Sequence, residues 1–194
     1  MNRELDWNAR YAGGDTPWDK GAPHPVLFND STKDLLSGRV LVPGCGTGHD
    51  ARALAARGLD VTGLDISPLA LGRARAAHLP ANLQYIIGSL FDLSSDMKAA
   101  FDGVFEHTCF CAIDPARRAD YAASVASALK RGGRLLAVFF LDPGNDGDGP
   151  PFGCTRSEID AFFRPYFRVL REESVIPTFA GREGRELLIL MERV

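Results

Sequence analysis

The fold is decided by the stretch Val42-Pro43-Gly44-Cys45-Gly46-Thr47-Gly48-His49-Asp50, which places three glycines at alternate positions after a short apolar run. Glycine here allows a tight turn and lets a ligand approach the backbone where a Cβ atom would collide. Dinucleotide-binding loops have the pattern G-x-G-x-x-G, but here a single residue separates the second glycine from the third. The spacing G-x-G-x-G is instead typical of methyltransferases, whose ligand has no pyrophosphate. It disfavours a nicotinamide oxidoreductase and favours an adenosyl cofactor.

An acidic residue and a polar loop follow at the places where an adenosyl group needs them. Asp65 ends a second apolar run, roughly 20 positions after the first glycine, where a carboxylate can accept hydrogen bonds from both ribose hydroxyls. The run Gly88-Ser89-Leu90-Phe91-Asp92-Leu93 follows a third strand and would face the adenine, with Ser89 reading its edge. The alternatives are that Asp65 only caps a helix and that the later loop is an exposed turn.

From Arg39 onward, short apolar runs alternate with helical stretches. We predict strands at residues 39–43, 60–64, 83–87, 101–106, 134–140, 167–172 and 185–191. We predict helices near residues 49–57, 67–78, 115–130 and 156–163, the second of them capped by Ser67 with Pro68 in its first position. This alternation predicts a Rossmann-like α/β fold, with a seven-stranded, mostly parallel sheet and helices on both faces. The last two strands have no helix between them and predict an antiparallel hairpin at one edge.

Composition and charge exclude several classes of protein. Apolar residues at 45% and charged residues at 24% are ordinary for a soluble globular protein. The net charge of −3 offers no basic surface for nucleic acid. The N-terminus has no signal-peptide pattern, and the longest apolar run, residues 135–141, is too short to cross a bilayer. We expect one cytoplasmic domain, residues 1–194, that acts on a small molecule without nucleic-acid or membrane partners.

Metal binding is not expected, although two groups of residues suggest it superficially. His107, Cys109 and Cys111 alternate with a period of two and would share one face of an extended strand. However, the chain has no C-x-x-C knuckle, and free cysteine is commonly a small buried residue. The aspartates at positions 142, 146 and 148 lack the spacing of a calcium loop. We interpret residues 142–153 as a mobile loop that presents Pro150, Pro151 and Phe152 at the mouth of the substrate pocket.

Several longer motifs resemble the thiopurine S-methyltransferase family, which includes plant and bacterial halide/thiol methyltransferases. The more specific ones are Thr16-Pro17-Trp18-Asp19-Lys20-Gly21 and Phe110-Cys111-Ala112-Ile113-Asp114-Pro115. The resemblance covers nearly the whole chain and also rests on Trp7-Asn8-Ala9-Arg10-Tyr11, Pro25, Val42-Pro43-Gly44-Cys45-Gly46, Gly63-Leu64-Asp65-Ile66-Ser67, Ser89-Leu90-Phe91-Asp92-Leu93 and Gly149-Pro150-Pro151-Phe152. It implies a class I methyltransferase, largely monomeric, that uses S-adenosylmethionine.

The resemblance also implies roles for individual residues. Residues 1–38 would form a lid, and its Trp7 and Trp18 would close over the methionine half of the cofactor. The cofactor itself would be held by Gly44, Cys45, Gly46, Gly48, Asp65, Ile66, Ser89, Leu90 and Phe91. The substrate pocket would include Cys109, Phe110, Phe152 and Arg182. His107 stands where thiol and halide members often have tyrosine, and Cys109 where an aromatic residue is common, so the resemblance defines the cofactor better than the acceptor.

Four polar residues have alternative roles. His107 is our candidate catalytic base, able to accept or relay a thiol proton, or else it only makes hydrogen bonds in the pocket or packs against the lid. Tyr11 meets the substrate from the lid or buries its ring in the core. Glu106 holds the cofactor's amino group or simply ends a strand. Arg182, like Arg185, binds an anionic substrate or is a solvated surface charge.

The leading functional hypothesis is methyl transfer to a small, soft nucleophile: a thiol, hydrosulfide, halide, or selenium or tellurium species. A thiol with a pKa of about 8.5 is partly ionised at neutral pH, so a strong general base is optional. The alternatives are methylation of an oxygen or nitrogen of a small metabolite, a nicotinamide oxidoreductase, and a cofactor-binding protein without catalysis.

Overall fold

The glycine loop connects the first strand and the following helix of an alternating series in the computed structural model, which describes residues 5–145 and 149–194. The strands are β1 (Arg39–Pro43), β2 (Asp60–Asp65), β3 (Leu83–Ile87), β4 (Phe101–His107), β5 (Leu129–Phe140), β6 (Phe167–Ser174) and β7 (Glu186–Arg193). The α-helices are α1 (Trp7–Gly13), α2 (His49–Ala56), α3 (Pro68–Ala76), α4 (Arg118–Ala128) and α5 (Arg156–Phe163). None of these helices is long and apolar enough to span a bilayer.

The seven strands form one sheet in the order β3-β2-β1-β4-β5-β7-β6. Strands β1 to β5 are parallel, and β7 pairs antiparallel with both β5 and β6. The predicted fold class and its antiparallel edge are therefore confirmed. The chain moves outward from β1 to β3 and then returns to place β4 on the other side of β1. A crevice forms at such a switch point, outside the carboxyl ends of the strands.

Helices cover both faces of the sheet because successive strand side chains point to opposite sides. In β1, Leu41 packs into a core under α4 and α5, whereas its neighbours Val40 and Val42 pack into a second core under α2 and α3. In β4, Val104 and Phe105 divide between the two cores in the same way. The cores hold the carboxyl ends of β1 and β4 in fixed positions.

The predicted start of one helix is confirmed, and another predicted helix is wrong at both ends. Ser67 caps α3 by accepting a hydrogen bond from the Ala70 amide at 3.1 Å, and Pro68 is the first helical residue. The predicted helix over residues 115–130 consists of a 3₁₀ turn followed by α4, which ends at Ala128. The next residue already pairs with β4, and the register shifts before Arg134. Gly132 has φ +75°, so it turns the chain within an irregular strand instead of ending a helix.

The N-terminal segment lies across the carboxyl edge of the sheet. The Asn8 side-chain oxygen accepts hydrogen bonds from the Ser67 hydroxyl at 2.9 Å and from the Leu69 amide at 3.1 Å. The Arg73 guanidinium donates to the Tyr11 carbonyl at 2.7 Å. These contacts attach α1 to the start of α3, directly beside the glycine loop.

Candidate active site

A cavity of about 900 Å³ opens at the carboxyl ends of the parallel strands. Its wall is formed by the N-terminal segment, by the loops that follow β1, β2, β3 and β4, and by the loops that precede α5 and β7. Twelve of the residues proposed from sequence line it: Trp7, Tyr11, Trp18, Gly44, Asp65, Ile66, Ser89, Leu90, Phe91, Cys109, Phe152 and Arg182. Five others, Cys45, Gly46, Gly48, Glu106 and Phe110, lie behind the wall, and so does the candidate base His107.

The glycine loop has the backbone that its sequence demands. Gly44, Gly46 and Gly48 have φ values of +58°, +54° and +80°, a region that residues with a Cβ atom rarely adopt. A Cβ atom on Gly44 would lie 2.8 Å from the Cys109 sulfur, and one on Gly46 would lie 2.8 Å from the Tyr11 hydroxyl oxygen. The loop is therefore packed closely from both sides, and its backbone faces the cavity at Gly44.

Asp65 connects the end of β2 to the glycine loop. Its Oδ2 accepts a hydrogen bond from the Gly46 amide and its Oδ1 accepts one from the Ser67 amide, both at 2.8 Å. Burial raises the pKa of this carboxyl group, although the backbone hydrogen bonds oppose the shift. Each carboxylate oxygen has a second lone pair, and the side chain borders the cavity. Asp65 can therefore hold two ribose hydroxyls as well as the loop.

Three aromatic rings of the N-terminal segment pack together over the glycine loop. Trp18 makes edge contacts with Trp7 and Tyr11 at centroid distances of 5.3 and 5.7 Å, and its indole N–H donates to the Tyr11 hydroxyl at 3.1 Å. Burial raises the pKa of Tyr11 to about 12, so its phenol is neutral near pH 7. Tyr11 can donate or accept a hydrogen bond there, but it is not ionised to act as a base.

A separate contact joins the segment to the loop beneath it. The Thr47 hydroxyl donates to Asp19 Oδ2 at 2.7 Å, and His49 Nε2 lies 3.2 Å from Asp19 Oδ1. The backbone amide of Gly21 and the Thr47 and His49 contacts lower the pKa of this carboxyl group against the opposing effect of its partial burial. Asp19 is thus a charged link between the lid segment and the glycine loop.

The loop after β3 forms the next part of the wall. The Ser89 hydroxyl accepts a hydrogen bond from the Phe91 amide at 3.2 Å, which begins a 3₁₀ turn. Leu90 is buried under this turn, and the Arg117 guanidinium lies 3.7 Å from the centroid of the Phe91 ring. The turn presents an apolar surface with backbone polar groups beside it, which suits the face and edge of an adenine.

His107 ends β4 but lies behind the cavity wall. Its Nδ1 is 2.8 Å from Asp50 Oδ2, and its Nε2 is 3.3 Å from Nη1 of Arg182. Burial alone would raise the pKa of the Asp50 carboxyl group, but the contact with His107 outweighs burial and lowers that pKa. The Arg182 side chain does reach the cavity, so the arginine stands between the imidazole and the cavity.

A second imidazole that sequence reasoning missed completes this network. His24 is fully buried, its Nε2 lies 3.1 Å from Glu186 Oε2, and its ring contacts that of His107 at a centroid distance of 4.6 Å. Glu186 Oε1 accepts a hydrogen bond from Arg182 Nη1 at 3.0 Å. The two imidazoles and Glu186 have potential metal-ligand atoms within 4.8 Å of one another. The Arg182 guanidinium, bonded to His107 and Glu186, already supplies the positive charge among these groups.

Glu106 organises the turn that follows β4. Its Oε1 accepts hydrogen bonds from the amides of Cys109 at 3.1 Å and Phe110 at 2.8 Å, and its Oε2 accepts one from the Tyr121 hydroxyl. The residue is 1% exposed, and burial raises the pKa of its carboxyl group. Both oxygens are engaged within the protein, behind the cavity wall. This arrangement matches the structural alternative for Glu106 better than contact with a cofactor.

The turn also separates the residues that appeared to share one face of a strand. Because β4 ends at His107 and Phe110–Ala112 form a 3₁₀ turn, the expected single face of His107, Cys109 and Cys111 is wrong. Cys109 and Cys111 border the cavity, whereas the Phe110 ring lies in the core beside Phe139, at a centroid distance of 5.3 Å. All four cysteines are free.

The loop before α5 forms another part of the cavity wall. The Phe152 amide donates to the Cys111 carbonyl at 2.7 Å, and buried Arg118 donates to the carbonyls of Phe152 and Gly153, both at 3.0 Å. Phe152 is thus anchored at both sides of its backbone. Asp142 Oδ1 accepts a hydrogen bond from the Gly144 amide at 2.8 Å, and the other two aspartates of the superficial calcium pattern lie outside the described residues.

Comparison with known proteins identifies the family of this chain. The sequence profile described as "Thiopurine S-methyltransferase (TPMT)" matches residues 2–188. The chain belongs to the thiopurine S-methyltransferase family. The family prediction and the prediction of an S-adenosylmethionine-dependent methyltransferase are therefore confirmed.

Individual relatives resemble this family member over most of its length. It is 36% identical to "Probable thiol methyltransferase 2" of Arabidopsis thaliana over 167 aligned residues, and the alignment covers 84% of this chain and 74% of the relative. It is 34% identical to "Thiocyanate methyltransferase 1" of Brassica oleracea over 190 aligned residues, and this alignment covers 95% of this chain and 83% of the relative. A solved structure from work on "Conversion of a Disulfide Bond into a Thioacetal Group during Echinomycin Biosynthesis" has a TM-score of 0.80 at 25% identity and covers 96% of this chain and 90% of that one.

Proposed function

We propose that this family member transfers a methyl group from S-adenosylmethionine to a small, soft and anionic nucleophile, such as a thiolate, hydrosulfide, halide or related chalcogen anion. One observation carries the choice of acceptor: the cavity wall includes the Arg182 guanidinium together with the apolar side chains of Phe140 and Phe152, and the centroid of the Phe140 ring lies 4.8 Å from the guanidinium carbon. A permanent cation in apolar surroundings attracts weakly hydrated anions. Two relatives that are named as a probable thiol methyltransferase and a thiocyanate methyltransferase support the same class.

The residues around the glycine loop fit the cofactor. Gly44 would accept the methionine half against its backbone, because it borders the cavity and has no side chain there. Asp65 would hold the ribose hydroxyls, and the turn at Ser89 and Leu90 would hold the adenine. The aromatic rings of Trp7 and Trp18 border the cavity from the lid side, where they would exclude water from the methionine half.

The protein's contribution to the reaction is alignment, desolvation and charge. When bound, S-adenosylmethionine would supply an electrophilic methyl carbon, and its carbon–sulfur bond would break as the nucleophile attacks in line, leaving the thioether as the leaving group. Holding the nucleophile in line with that carbon is worth about 7–11 kcal/mol relative to free reactants. Phe140 and Phe152 exclude water from the acceptor, and Arg182 compensates its charge. Because halides and thiolates attack without losing a proton, this mechanism does not require a general base.

The test is a headspace assay with purified protein, S-adenosylmethionine and iodide, hydrosulfide or a small thiol. We expect methylated volatile products with saturation in the nucleophile. An Asp65→Asn variant serves as a control, because it should weaken the cofactor site and leave the acceptor space intact. Methylation of a phenol or amine in the absence of volatile products would instead support the oxygen or nitrogen acceptor of the alternative hypothesis.

A further inference from the structure

The side chains behind the cavity wall form one continuous network that ends at Arg182. Asp50, at the start of α2, contacts His107, and His107 contacts the guanidinium of Arg182. From the other direction, His24 contacts Glu186, which accepts a hydrogen bond from the same guanidinium nitrogen. The network therefore approaches one arginine from two sides. Of its five members, Arg182 is the one that borders the cavity.

The hydrogen bonds define the protonation of both imidazoles. His24 Nδ1 accepts a hydrogen bond from the Val26 amide at 3.1 Å, so its Nε2 carries the proton that is donated to Glu186. An arginine side chain can only donate, so His107 Nε2 must accept from Arg182 and its Nδ1 must donate to Asp50. Burial also lowers the pKa of His24, which agrees with a neutral ring.

This assignment leaves His107 without a free lone pair that could take a proton from the substrate. The neutral imidazole has a single accepting nitrogen, and that nitrogen faces the Arg182 guanidinium. To take a proton from a thiol, the ring would have to break its contact with Arg182 and place two cations side by side. The geometry is thus poorly suited to a general base and well suited to holding an arginine.

Arg182 itself is held so that part of its donor set faces the cavity. Its ring neighbours are Phe140 and Phe179, whose centroids lie 4.8 and 5.8 Å from the guanidinium carbon. Among the described residues, its side-chain hydrogen bonds to His107 and Glu186 both use Nη1. The N–H groups at Nε and Nη2 have no hydrogen-bond acceptor among the described residues and are not buried, so they can donate to a ligand.

We propose that His107 is a positioning residue, which together with Asp50 fixes the Arg182 guanidinium as the anion-binding group for the methyl acceptor. In this role His107 moves no proton. The proposal rests on the proposed function for the identity of the acceptor. It assigns acceptor specificity to a half-buried pair whose members come from the end of β4 and the start of α2.

Iodide separates this role from that of a general base, because it has no proton to lose. A base is needed only for a thiol, so removing it would lower thiol methylation and leave iodide methylation unchanged. A positioning residue serves both nucleophiles. We expect His107→Ala to lower kcat/KM for iodide and for the thiol by a similar factor of about 10–100, mainly through KM.

A conservative variant provides a second discriminating comparison. The His107→Gln side chain has an amide oxygen that can accept from Arg182 but has no basic pKa in the working range. We expect it to recover much of the activity lost in His107→Ala and to keep the wild-type pH–rate profile. Equal loss in both variants with the thiol, combined with unchanged iodide methylation, would overturn the proposal. His78→Gln is the matched control, since His78 is exposed and remote from the cavity wall.

Direct binding measurements keep this test independent of turnover. Calorimetric titration of thiocyanate into the protein saturated with S-adenosylhomocysteine, at constant ionic strength, should show about 10-fold or more weaker binding in His107→Ala. Unchanged affinity for S-adenosylhomocysteine would show that the variant retains its cofactor half. Wild-type protein that binds thiocyanate but methylates none of the nucleophiles would contradict the proposed function alone. Equal thiocyanate affinity in wild type and His107→Ala would contradict the positioning role.

Discussion

The contact between Tyr11 and the glycine loop can be tested by replacing Gly46 with alanine in two backgrounds. A Cβ atom at position 46 would lie 2.8 Å from the Tyr11 hydroxyl oxygen but 4.0 Å from the ring carbon that bears it. The hydroxyl has little freedom to withdraw, because the side chain is 3% exposed and accepts the Trp18 hydrogen bond. In Tyr11→Phe the close atom is absent, and the added methyl group makes only an ordinary contact.

The expected cost of Gly46→Ala has two parts. The residue has φ +54°, and a Cβ atom in this left-handed region costs about 1–2 kcal/mol. Overpacking against the hydroxyl adds about 1–3 kcal/mol. We therefore expect a loss of about 2–5 kcal/mol in wild-type protein, and of about 1–2 kcal/mol in the Tyr11→Phe background.

Urea unfolding of the wild type, both single variants and the double variant gives the coupling free energy directly. The loss of the Trp18 hydrogen bond occurs in both phenylalanine variants and cancels in the cycle. We expect a coupling of about 1–3 kcal/mol, accompanied by partial recovery of S-adenosylhomocysteine affinity in the double variant. Equal costs of Gly46→Ala in both backgrounds would refute the close packing of the lid on the loop.

Three further predictions concern Asp65, Asp19 and the buried pair of His24 and Glu186. Asp65→Asn should weaken S-adenosylhomocysteine binding by about 1–3 kcal/mol, measured by calorimetry; unchanged affinity would remove Asp65 from the cofactor site. Asp19→Ala should lose the hydrogen bond from Thr47 and release the cofactor faster, by about 0.5–1.5 kcal/mol in the dissociation barrier, measured by stopped-flow tryptophan fluorescence; an unchanged rate would show that this link does not retain the lid. The free energy of unfolding should fall as the pH is lowered below neutrality, because the unfolded chain binds protons that the folded protein does not. Burial lowers the pKa of His24 from 6.5. The hydrogen bonds to Glu186 outweigh the effect of its burial and lower its pKa from 4.5 to about 2. The first loss should begin near pH 6.5 and the second between pH 4.5 and 2, and stability that rises from pH 7 to 5 in urea titrations would contradict the neutral, buried His24.

The cofactor half of the site could be predicted from the sequence because its signals are local. The three alternating glycines follow β1 and Asp65 ends the adjacent strand β2, and their residue types are required by positive φ angles and by backbone hydrogen bonds. The same local reasoning failed at Gly132. A pair of glycines after an alanine-rich run is typical of a helix end, whereas here pairing with β4 overrides that preference and extends β5 back to Leu129.

The network around Arg182 could not be predicted because its contacts join distant parts of the chain. His24 and Glu186 are 162 positions apart, and Asp50 and His107 are 57 apart. No periodicity or spacing rule connects such pairs. A lone histidine at the end of β4 therefore looked like a candidate base, and only its two neighbours reveal that its accepting nitrogen already faces an arginine.

The two halves of the site should therefore be energetically separable. Asp65 is held by amides of the glycine loop and of the N-cap of α3, whereas Arg182 is held by His107 and Glu186. Within the part of the chain that the structure describes, the two side chains therefore share no hydrogen-bond partner. Substitutions without shared partners usually add within about 0.3–0.5 kcal/mol. Asp65→Asn should change S-adenosylhomocysteine affinity and Arg182→Gln thiocyanate affinity, each by the same amount alone as in the double variant. Measured coupling above about 1 kcal/mol would mean that the cofactor and acceptor ends are linked through the network behind the wall, and His107 would then be the first residue to replace in the search for that link.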